Sequence, residues 1–342
     1  NGVEVLLKDN PSLQADMVVL AIGVTPDTVL AKEAGLELGI KESIVVNDRM
    51  ETSVPDIYAA GDAVQVKHYV TGNDALISLA GPANKQGRII ADNICGGDSR
   101  YLGSQGSSVI KVFDMTAATT GINETNAKKS GLEVDTVILS PMSHAGYYPG
   151  GKVMTMKVVF EKETYRLLGA QIIGYEGVDK RIDVLATAIH AGLNATQLKD
   201  LDLAYAPPYS SAKDPVNMAG FMIDNIAKGT LKQWHLEDMD KISKDKDVVL
   251  LDVRTVGEFS RGHIDGFKNI PVDELRERIS EIEKGKPVYL ICQSGLRSYI
   301  ASRILEGNGY ETYNFSGGFR FYDAVVNDRA LIERAYACGM DY

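Results

Sequence analysis

The sequence predicts a multi-domain protein of mixed α/β and α+β class. Apolar runs alternate with helical patterns near both ends of the 342-residue chain, whereas strands of period two precede helices in its middle. A Gly/Ser-rich connector at Ser99–Ser108 marks a boundary between the first two parts. We therefore expect three domains, at residues 1–106, 107–230 and 231–342.

The composition argues against nucleic acid and membranes as partners. A net charge of −10 and a pI near 5.1 leave no excess of basic side chains to neutralise phosphates. No apolar stretch approaches the roughly 20 residues that span a bilayer. Cys95, Cys292 and Cys338 are too few and too far apart for a disulfide framework, which predicts a cytoplasmic protein. The histidines show no metal-ligand spacing, so we expect no metal site.

The first part of the chain reads as an α/β segment entered in mid-fold. The apolar run Ala15–Thr28 predicts a buried parallel strand, and a short helix over residues 30–39 follows it. A second buried strand is expected at Ile57–Ala60, and then a helix over residues 76–98 that is broken near Gly81-Pro82. Because the chain lacks an initial methionine and a signal peptide, we expect it to be the C-terminal part of a longer protein.

The remaining two parts differ in how strands and helices are ordered. Antiparallel strands within 108–121, 134–140 and 153–174 precede helices at 178–192 and 214–229, which is typical of an α+β domain. Beyond residue 230 the order alternates, which predicts a small parallel α/β domain. Its strands are expected within 247–254, 287–293 and 309–318, and its helices at 272–285 and 298–309.

Cys292 follows a buried strand at the point where a parallel sheet forms its ligand sites. The residues Gln293–Ser298 can curl above a helix N-terminus so that successive N–H groups point inward and favour a thiolate. Gly295 permits a positive φ in the curl, and Arg297 adds a fixed charge. The alternative reading, in which Cys292 is a buried filler at the end of a strand, loses weight because the whole Cys-x-x-Gly-x-Arg-Ser string lies at a strand-to-helix junction.

Residues 236–322 resemble a rhodanese (sulfurtransferase) domain. The segment LLDVRTVGEFSRGHIDGFKNIP from Leu250 to Pro271 and the late SGGFRFY carry the resemblance together with the cysteine loop. It implies that Cys292 carries a persulfide. Arg297 and the amides of the loop would stabilise it; that loop consists of Gln293, Ser294, Gly295, Leu296 and Ser298. Asp252, Arg254 and His263 are expected to be structural.

The length of the loop distinguishes this reading from a cysteine phosphatase of similar fold. Four residues separate Cys292 from Arg297, a ring suited to one sulfur atom, whereas a phosphatase would use five to hold a phosphate. The spacing therefore favours sulfur chemistry.

The first part of the chain resembles the pyridine nucleotide–disulfide oxidoreductases over residues 15–93. The ordered segments VVLAIGVTPDT, IYAAGDAV and AGPANKQGRIIADNI carry this resemblance. It implies a partial, doubly wound FAD/NAD(P)-binding domain. The residues expected to contact FAD are Gly61, Asp62 on the ribityl chain, Ala63 through its N–H, and Pro82, Ala83 and Asn84 near the isoalloxazine ring. No Gly-x-Gly-x-x-Gly loop occurs in the sequence, so only part of the flavin site is expected here.

The middle part resembles the dimerisation domain of coenzyme A-disulfide reductases over residues 108–229. The stretches HAGYYPGGK and LAYAPPYSSAKDPVN carry the resemblance, and Pro207-Pro208 fixes a rigid turn. It implies a homodimer in which Tyr147 and Tyr205 reach the partner's active site. Tyr148 and Tyr209 remain open as alternatives, and His144 lies near the pair.

The three resemblances together indicate a rhodanese-fused coenzyme A-disulfide reductase, of the NADH-dependent persulfide or polysulfide reductase type. In the intact enzyme electrons would pass from NAD(P)H to FAD, then to an upstream cysteine, and then to a CoA disulfide, CoA persulfide or polysulfide. Cys292 would carry sulfane sulfur. The alternative is an NADH oxidase-type flavoprotein whose rhodanese domain only binds CoA or a partner.

Overall fold

The chain forms two compact units. The computed structural model describes residues 2–8 and 10–336, of which residues 329–336 are described by their backbone alone. Among these, the first unit comprises the residues up to His68 together with Asn73–Ser104, and the second comprises Tyr69–Gly72 and the residues from Gln105 onward. None of the helices in the described part combines the length and the apolar composition that crossing a bilayer requires. Cys338, one of the three cysteines, lies outside the described residues.

The first unit is poor in regular structure. Its small core contains Met50, Val64 and Val66, against which apolar side chains of the second helix pack. Its strands pair antiparallel, β1 with β2 and β3 with β4. The elements are β1 (Val3–Val5), β2 (Leu13–Ala15), α1 (Val29–Glu33), β3 (Val66–Lys67), β4 (Asp74–Ala75) and α2 (Ala80–Ile94).

Two predicted strands of the first unit are not formed. The run Ala15–Thr28 leaves β2 after its first residue and continues without regular structure, with Leu20 82% and Ile22 92% exposed. Ile57–Ala60 makes one isolated bridge, through Tyr58, instead of a strand. A buried parallel strand needs neighbours on both sides. In the described residues of this unit, the first run pairs only through Ala15 at the end of β2, and the second only through the bridge of Tyr58 to Glu51.

The helix predicted over residues 76–98 exists, but it begins at Ala80 and is not broken at Gly81-Pro82. Pro82 lies in its first turn, where the backbone N–H has no partner within the helix and its loss costs nothing. The proline therefore marks the beginning of α2.

The second unit begins with a five-stranded antiparallel sheet, which confirms the strands predicted within 108–174. The strand order is β5-β6-β9-β8-β7, and α4 and α5 complete its core. The predicted helices are also confirmed. The elements are β5 (Ser108–Val112), β6 (Met115–Gly121), α3 (Glu124–Lys129), β7 (Val134–Leu139), β8 (Thr155–Glu161), β9 (Leu167–Gly174), α4 (Val178–His190) and α5 (Pro215–Ala227).

The rest of the second unit is built on a five-stranded parallel sheet with the order β10-β14-β13-β11-β12. The three predicted strands are confirmed, and two short ones extend the sheet. The elements are β10 (Gln233–Trp234), α6 (Met239–Ile242), β11 (Val249–Asp252), α7 (Val256–Ser260), β12 (Lys268–Asn269), β13 (Val288–Ile291), α8 (Leu296–Glu306), β14 (Thr312–Phe315) and α9 (Gly318–Tyr336).

The helix predicted over residues 272–285 is wrong. This segment forms consecutive turns and one short 3₁₀ helix, Ile279–Glu281. Leu275 and Ile282 are buried in the core of the parallel sheet, and the Tyr310 hydroxyl lies 3.1 Å from the Ile282 carbonyl. Tertiary contacts thus outweigh the high helix propensity of the segment.

Side chains of the parallel-sheet region cover the edge strand β7 of the antiparallel sheet. The Ile138 N–H donates to Ser316 Oγ at 3.1 Å, and Gln233 Nε2 donates to the Thr136 carbonyl at 2.7 Å. His235 Nε2 lies 3.1 Å from Asp135 Oδ1. We call these three contacts the seam. They satisfy groups of β7 that would otherwise be open for pairing with another strand.

Candidate functional site

Cys292 lies directly after β13, and its side chain is 1% exposed. Two donors point at its sulfur: the Gly295 N–H and the Ser298 hydroxyl, each with its heavy atom 3.2 Å from Sγ. These two donors are the hydrogen-bond partners that the described residues offer to the sulfur atom.

The backbone at Gly295 lets the loop turn into α8. Gly295 has φ 96° and precedes the first residue of that helix. An L-residue with a side chain is strained at this φ, so glycine is required for the turn that brings its N–H to the sulfur. The helix N-terminus beneath the loop adds the positive end of its dipole to the site.

The Gly-Gly turn at Gly317-Gly318, with the residues that follow it, contacts the Cys292 loop. The Phe319 N–H donates to the Cys292 carbonyl at 2.8 Å, and the Arg320 N–H donates to the Gln293 carbonyl at 3.1 Å. A Cβ on Gly318 would lie 2.7 Å from the Ser294 nitrogen, which leaves no room for a side chain at that position. These contacts therefore hold the carbonyl groups of Cys292 and Gln293 in place.

Arg297 is paired with Glu258 in α7. Both guanidinium Nη atoms lie 2.7 Å from the two carboxylate oxygens, in a bidentate arrangement. This hydrogen bonding, which outweighs partial burial, lowers the pKa of Glu258 to about 2. The guanidinium thus joins α7 to the start of α8, and its predicted part in stabilising a persulfide stays a prediction.

The other predicted loop residues lie around the sulfur without a hydrogen bond to it among the described residues. Gln293 and Ser294 are half-buried, and Leu296 is 66% exposed. The apolar side chain of Leu296 at the surface beside the loop is available for contact with a substrate or a partner.

Asp252 and Arg254 make structural contacts, as expected. Both are buried, and Arg254 Nε and Nη2 lie 2.9 Å and 2.7 Å from Asp252 Oδ2. The Arg254 guanidinium also covers the Phe319 ring at 3.8 Å, next to the Gly-Gly turn. His263 is exposed and stacks on Phe259.

Tyr147 and Tyr205, the two tyrosines predicted to act together, are brought into contact. Their hydroxyl oxygens lie 2.9 Å apart, and both rings are exposed. The hydrogen bond with Tyr147 raises the pKa of Tyr205, so its hydroxyl keeps its proton at neutral pH and can donate. Tyr148 instead contacts the edge of the His144 ring, and Tyr209 is 73% exposed.

Arg181 holds the two tyrosine-bearing loops together, and sequence reasoning missed it. It is 1% exposed and lies 3.0 Å from the Asp214 carboxylate. Its Nη2 also donates to the Ser143 carbonyl at 2.9 Å and to Ser210 Oγ at 3.1 Å. An arginine within an amphipathic helix gave no signal of burial. The network borders a cavity of about 520 Å³ that Tyr205 also lines.

The residues predicted to contact FAD lie close together in the first unit. The Gly61 N–H donates to Gln86 Oε1 at 2.7 Å, and a Cβ on Gly61 would lie 3.9 Å from that of Ala83. Asp62 is exposed and has no hydrogen-bond or ion-pair partner among the described residues. Pro82, Ala83 and Asn84 lie near the beginning of α2, which starts at Ala80. A free carboxylate beside a helix N-terminus suits a ligand that carries hydroxyl and phosphate groups.

Family comparisons divide the chain in the same order as its architecture. Residues 1–87 match the pyridine nucleotide-disulphide oxidoreductase family, and residues 107–215 match the dimerisation domain of that family. Residues 235–324 match the rhodanese-like domain. The predicted domain boundaries at 106 and 230 fall between these matches and stay predictions.

Several similar proteins are named for reactions of sulfur compounds or of coenzyme A disulfide. The NAD(P)H sulfur oxidoreductase (CoA-dependent) of Pyrococcus furiosus is 39% identical over 214 residues, which is 63% of this chain and 48% of that protein. The crystal structure of reduced Bacillus anthracis CoADR-RHD has a TM-score of 0.91 and 48% identity, and the match covers 95% of this chain and 58% of that one.

A second similar structure is that of a NAD-dependent persulfide reductase from A. fulgidus. Its TM-score is 0.83 at 42% identity, and the match covers 91% of this chain and 56% of that one. The chain spans about half the length of the curated relatives that it matches.

Proposed function

We propose that this chain, which joins segments of the pyridine nucleotide-disulphide oxidoreductase family to a rhodanese-like domain, is the sulfur-carrying part of a reductase of CoA disulfides, CoA persulfides or polysulfides. The observation that carries the proposal is the pair of donors at Cys292 Sγ, from Gly295 and Ser298, in a loop that leads into α8. This arrangement suits a sulfur nucleophile.

The sulfur step begins with the Cys292 thiolate. It attacks the outer sulfur of a donor such as thiosulfate, so that a new S–S bond forms, the donor's S–S bond breaks and sulfite leaves with the electron pair. A thiolate or cyanide acceptor then attacks the outer sulfur of the Cys292 persulfide and regenerates the thiolate. Gly295 and Ser298 stabilise the negative charge on Sγ before the first step and after the second.

Replacement of Cys292 tests the sulfur step. We expect Cys292→Ser to lower the rate of sulfur transfer from thiosulfate to cyanide by at least about a thousandfold, since serine is not ionised at neutral pH. Cys95→Ser is the matched control, because Cys95 is exposed at the end of α2 and should leave the rate unchanged. A Cys292→Ser protein that transfers sulfur at the parent rate would refute the role of Cys292.

The reductive half of the proposal concerns the intact protein. A persulfide consumes one hydride and one proton: RSSH + NADH + H⁺ gives RSH, H₂S and NAD⁺. FAD, when bound, passes the electrons of NAD(P)H on to sulfur. In this chain Asp62 and the first turn of α2 would hold part of that cofactor, with Gly61, Ala63 and the residues Pro82, Ala83 and Asn84 around it.

The tyrosine pair is proposed to serve the reductive half. The Tyr205 hydroxyl, which keeps its proton, would donate a hydrogen bond to the thiolate of the departing CoA or persulfide. Because both rings are exposed on their own chain, we expect the intact enzyme to be a homodimer in which the pair faces the partner. The cysteine usage favours the cytoplasm.

The alternative is an NADH oxidase-type flavoprotein in which the rhodanese domain only binds CoA or a partner. It predicts oxygen consumption by the intact enzyme and no persulfide turnover. The two donors at Sγ favour the sulfur-carrying role, because a docking module would need no stabilised thiolate.

A further inference from the structure

Asn314 occupies a position in β14 where an apolar residue would be the simpler choice. It lies opposite Leu290 in the parallel sheet, between Tyr313 and Phe315, and is 4% exposed. Its Oδ1 atom is buried and has no hydrogen-bond partner among the described residues. A buried amide that leaves its acceptor unpaired is unfavourable for stability, so its donor must account for its presence.

That donor reaches the sulfur loop. Asn314 Nδ2 donates to the Gly295 carbonyl at 3.0 Å. The same glycine gives its N–H to Cys292 Sγ. The peptide unit before Gly295 therefore donates its N–H to the sulfur, and the peptide unit after Gly295 accepts the Asn314 amide at its carbonyl.

The Gly295 carbonyl also accepts from the Tyr299 N–H at 3.1 Å, and it has a third donor within reach. Ser298 Oγ lies 3.1 Å from this carbonyl and 3.2 Å from Cys292 Sγ. A serine hydroxyl carries a single proton, so it cannot donate fully to both acceptors at once. The carbonyl oxygen has two lone pairs and the Tyr299 N–H uses one of them, so what decides is whether Asn314 occupies the other.

We infer that Asn314 is a positioning residue for the sulfur nucleophile: by donating to the Gly295 carbonyl, it frees the Ser298 hydroxyl to donate to Cys292 Sγ. Without Asn314, the buried carbonyl competes for the Ser298 proton, and the sulfur keeps only the Gly295 N–H. Asn314 acts through Ser298 and does not touch the sulfur. The inference rests on the proposed function only in that Cys292 is taken as the nucleophile.

The experiment measures the thiolate of Cys292 directly by its ultraviolet absorbance as a function of pH, in the full chain and with Cys292→Ser as the blank. We expect Asn314→Leu and Ser298→Ala each to move the titration midpoint upward by about one pH unit, a tenfold change in the ratio of thiolate to thiol. The double variant should move it no further than Ser298→Ala alone, because both changes remove the same hydrogen bond.

Thr312→Val is the matched control. Thr312 lies two residues earlier on β14, is 1% exposed and donates to Glu306 Oε1 at 2.8 Å, so its loss removes a buried hydrogen bond that does not point to the loop. This variant should lower the melting temperature and leave the midpoint unchanged. A merely structural role for Asn314 would make Asn314→Leu behave like Thr312→Val.

An unchanged midpoint in Asn314→Leu, or shifts that add in the double variant, would overturn the inference. If Asn314→Leu does not fold, Asn314→Asp keeps the shape and replaces the donor by a carboxylate. We expect an even larger upward shift there, and an unchanged midpoint would be equally fatal. The thiolate titration reads Asn314 whether or not Cys292 transfers sulfur, so failure of the proposed function would be seen separately, in the sulfur-transfer assay.

Discussion

Glu258 pairs with the positive charge of Arg297, the residue that the sequence predicts to lie beside the Cys292 sulfur. Because Arg297 lowers the pKa of Glu258 to about 2, the ion pair stabilises the fold above the ordinary glutamate pKa of about 4.3, and this contribution is lost as the pH falls toward 2. The two side chains are 23% and 31% exposed, so we expect the pair to contribute about 1 kcal/mol.

Glu258→Gln tests the role of this ion pair in stability and in the binding of a sulfur donor. Its melting temperature should lie below that of the parent at pH 7, and the difference should disappear near pH 2. In addition, the released guanidinium should attract an anionic sulfur donor, which lowers the KM for thiosulfate. Glu274→Gln is a control from an exposed ion pair with Arg278. A pH-independent difference in melting temperature would contradict the assignment.

The loop geometry could be predicted from the residue string, but the pairing of Arg297 could not. Cys292, Gly295 and Ser298 lie within seven consecutive residues, so local backbone geometry determines their relative positions. Glu258 is 39 residues away in sequence and meets Arg297 only because α7 lies beside α8. Asn314 reaches the loop for the same reason, across a strand pairing that the sequence does not specify.

Among the elements, α4 contributes one buried side chain, Arg181, that bonds to several polar groups of two loops. Arg181 satisfies Asp214, Ser210 and the Ser143 carbonyl, all of which are buried or half-buried. Asp214 also accepts from the Val216 N–H at the start of α5. The position of both tyrosine loops therefore depends on the guanidinium.

We expect Arg181→Met to destabilise the second unit by about 3–5 kcal/mol, because it leaves the Asp214 carboxylate buried without its main partner. The measurement is thermal unfolding followed by circular dichroism. Lys180→Met is the matched control: its ammonium is 3.8 Å from the same carboxylate but its side chain is 38% exposed, so a change below about 0.5 kcal/mol is expected. Equal effects of the two variants would show that the network does not depend on burial.

At the level of elements, the antiparallel sheet was predictable and the first unit was not. The strands β5 to β9 show period-two patterns, and three of their four pairings, β5 with β6, β7 with β8 and β8 with β9, join strands that follow each other along the chain. Only the pairing of β6 with β9 joins strands that are distant in sequence. The run Ala15–Thr28 has an equally strong apolar pattern but no neighbouring strand in the described residues, so its pattern alone does not produce a strand. Pattern predicts a strand only where a partner strand exists.

Across the whole molecule, the seam connects the tyrosine-bearing sheet to the sheet that carries Cys292. Ser316 accepts the Ile138 N–H and directly precedes the Gly-Gly turn that supports the Cys292 loop. Burial raises the pKa of Asp135, but the contact with His235 and further hydrogen bonds outweigh this and lower it. The seam therefore contributes stability above the ordinary aspartate pKa and loses it in acid.

Loss of two of the three seam contacts, those of Gln233 with Thr136 and of His235 with Asp135, should weaken the energetic coupling between the two sheets. In calorimetry at pH 7 we expect the double variant Asp135→Ala/Gln233→Ala to unfold in two resolved transitions where the parent's second unit unfolds in one. The control is Glu133→Ala, an exposed neighbour of β7 outside the seam. A single transition in the double variant would mean that other contacts couple the sheets.

The seam also has a consequence for solubility. β7 is the last strand of its sheet, and its outward groups at Thr136 and Ile138 are occupied by the side chains of Gln233 and Ser316. The parallel-sheet region therefore also covers the edge of the antiparallel sheet. Wherever it detaches, the apolar strand β7 becomes available for edge-to-edge aggregation between molecules. The attachment of the Cys292-bearing region to this sheet thus protects the sheet itself.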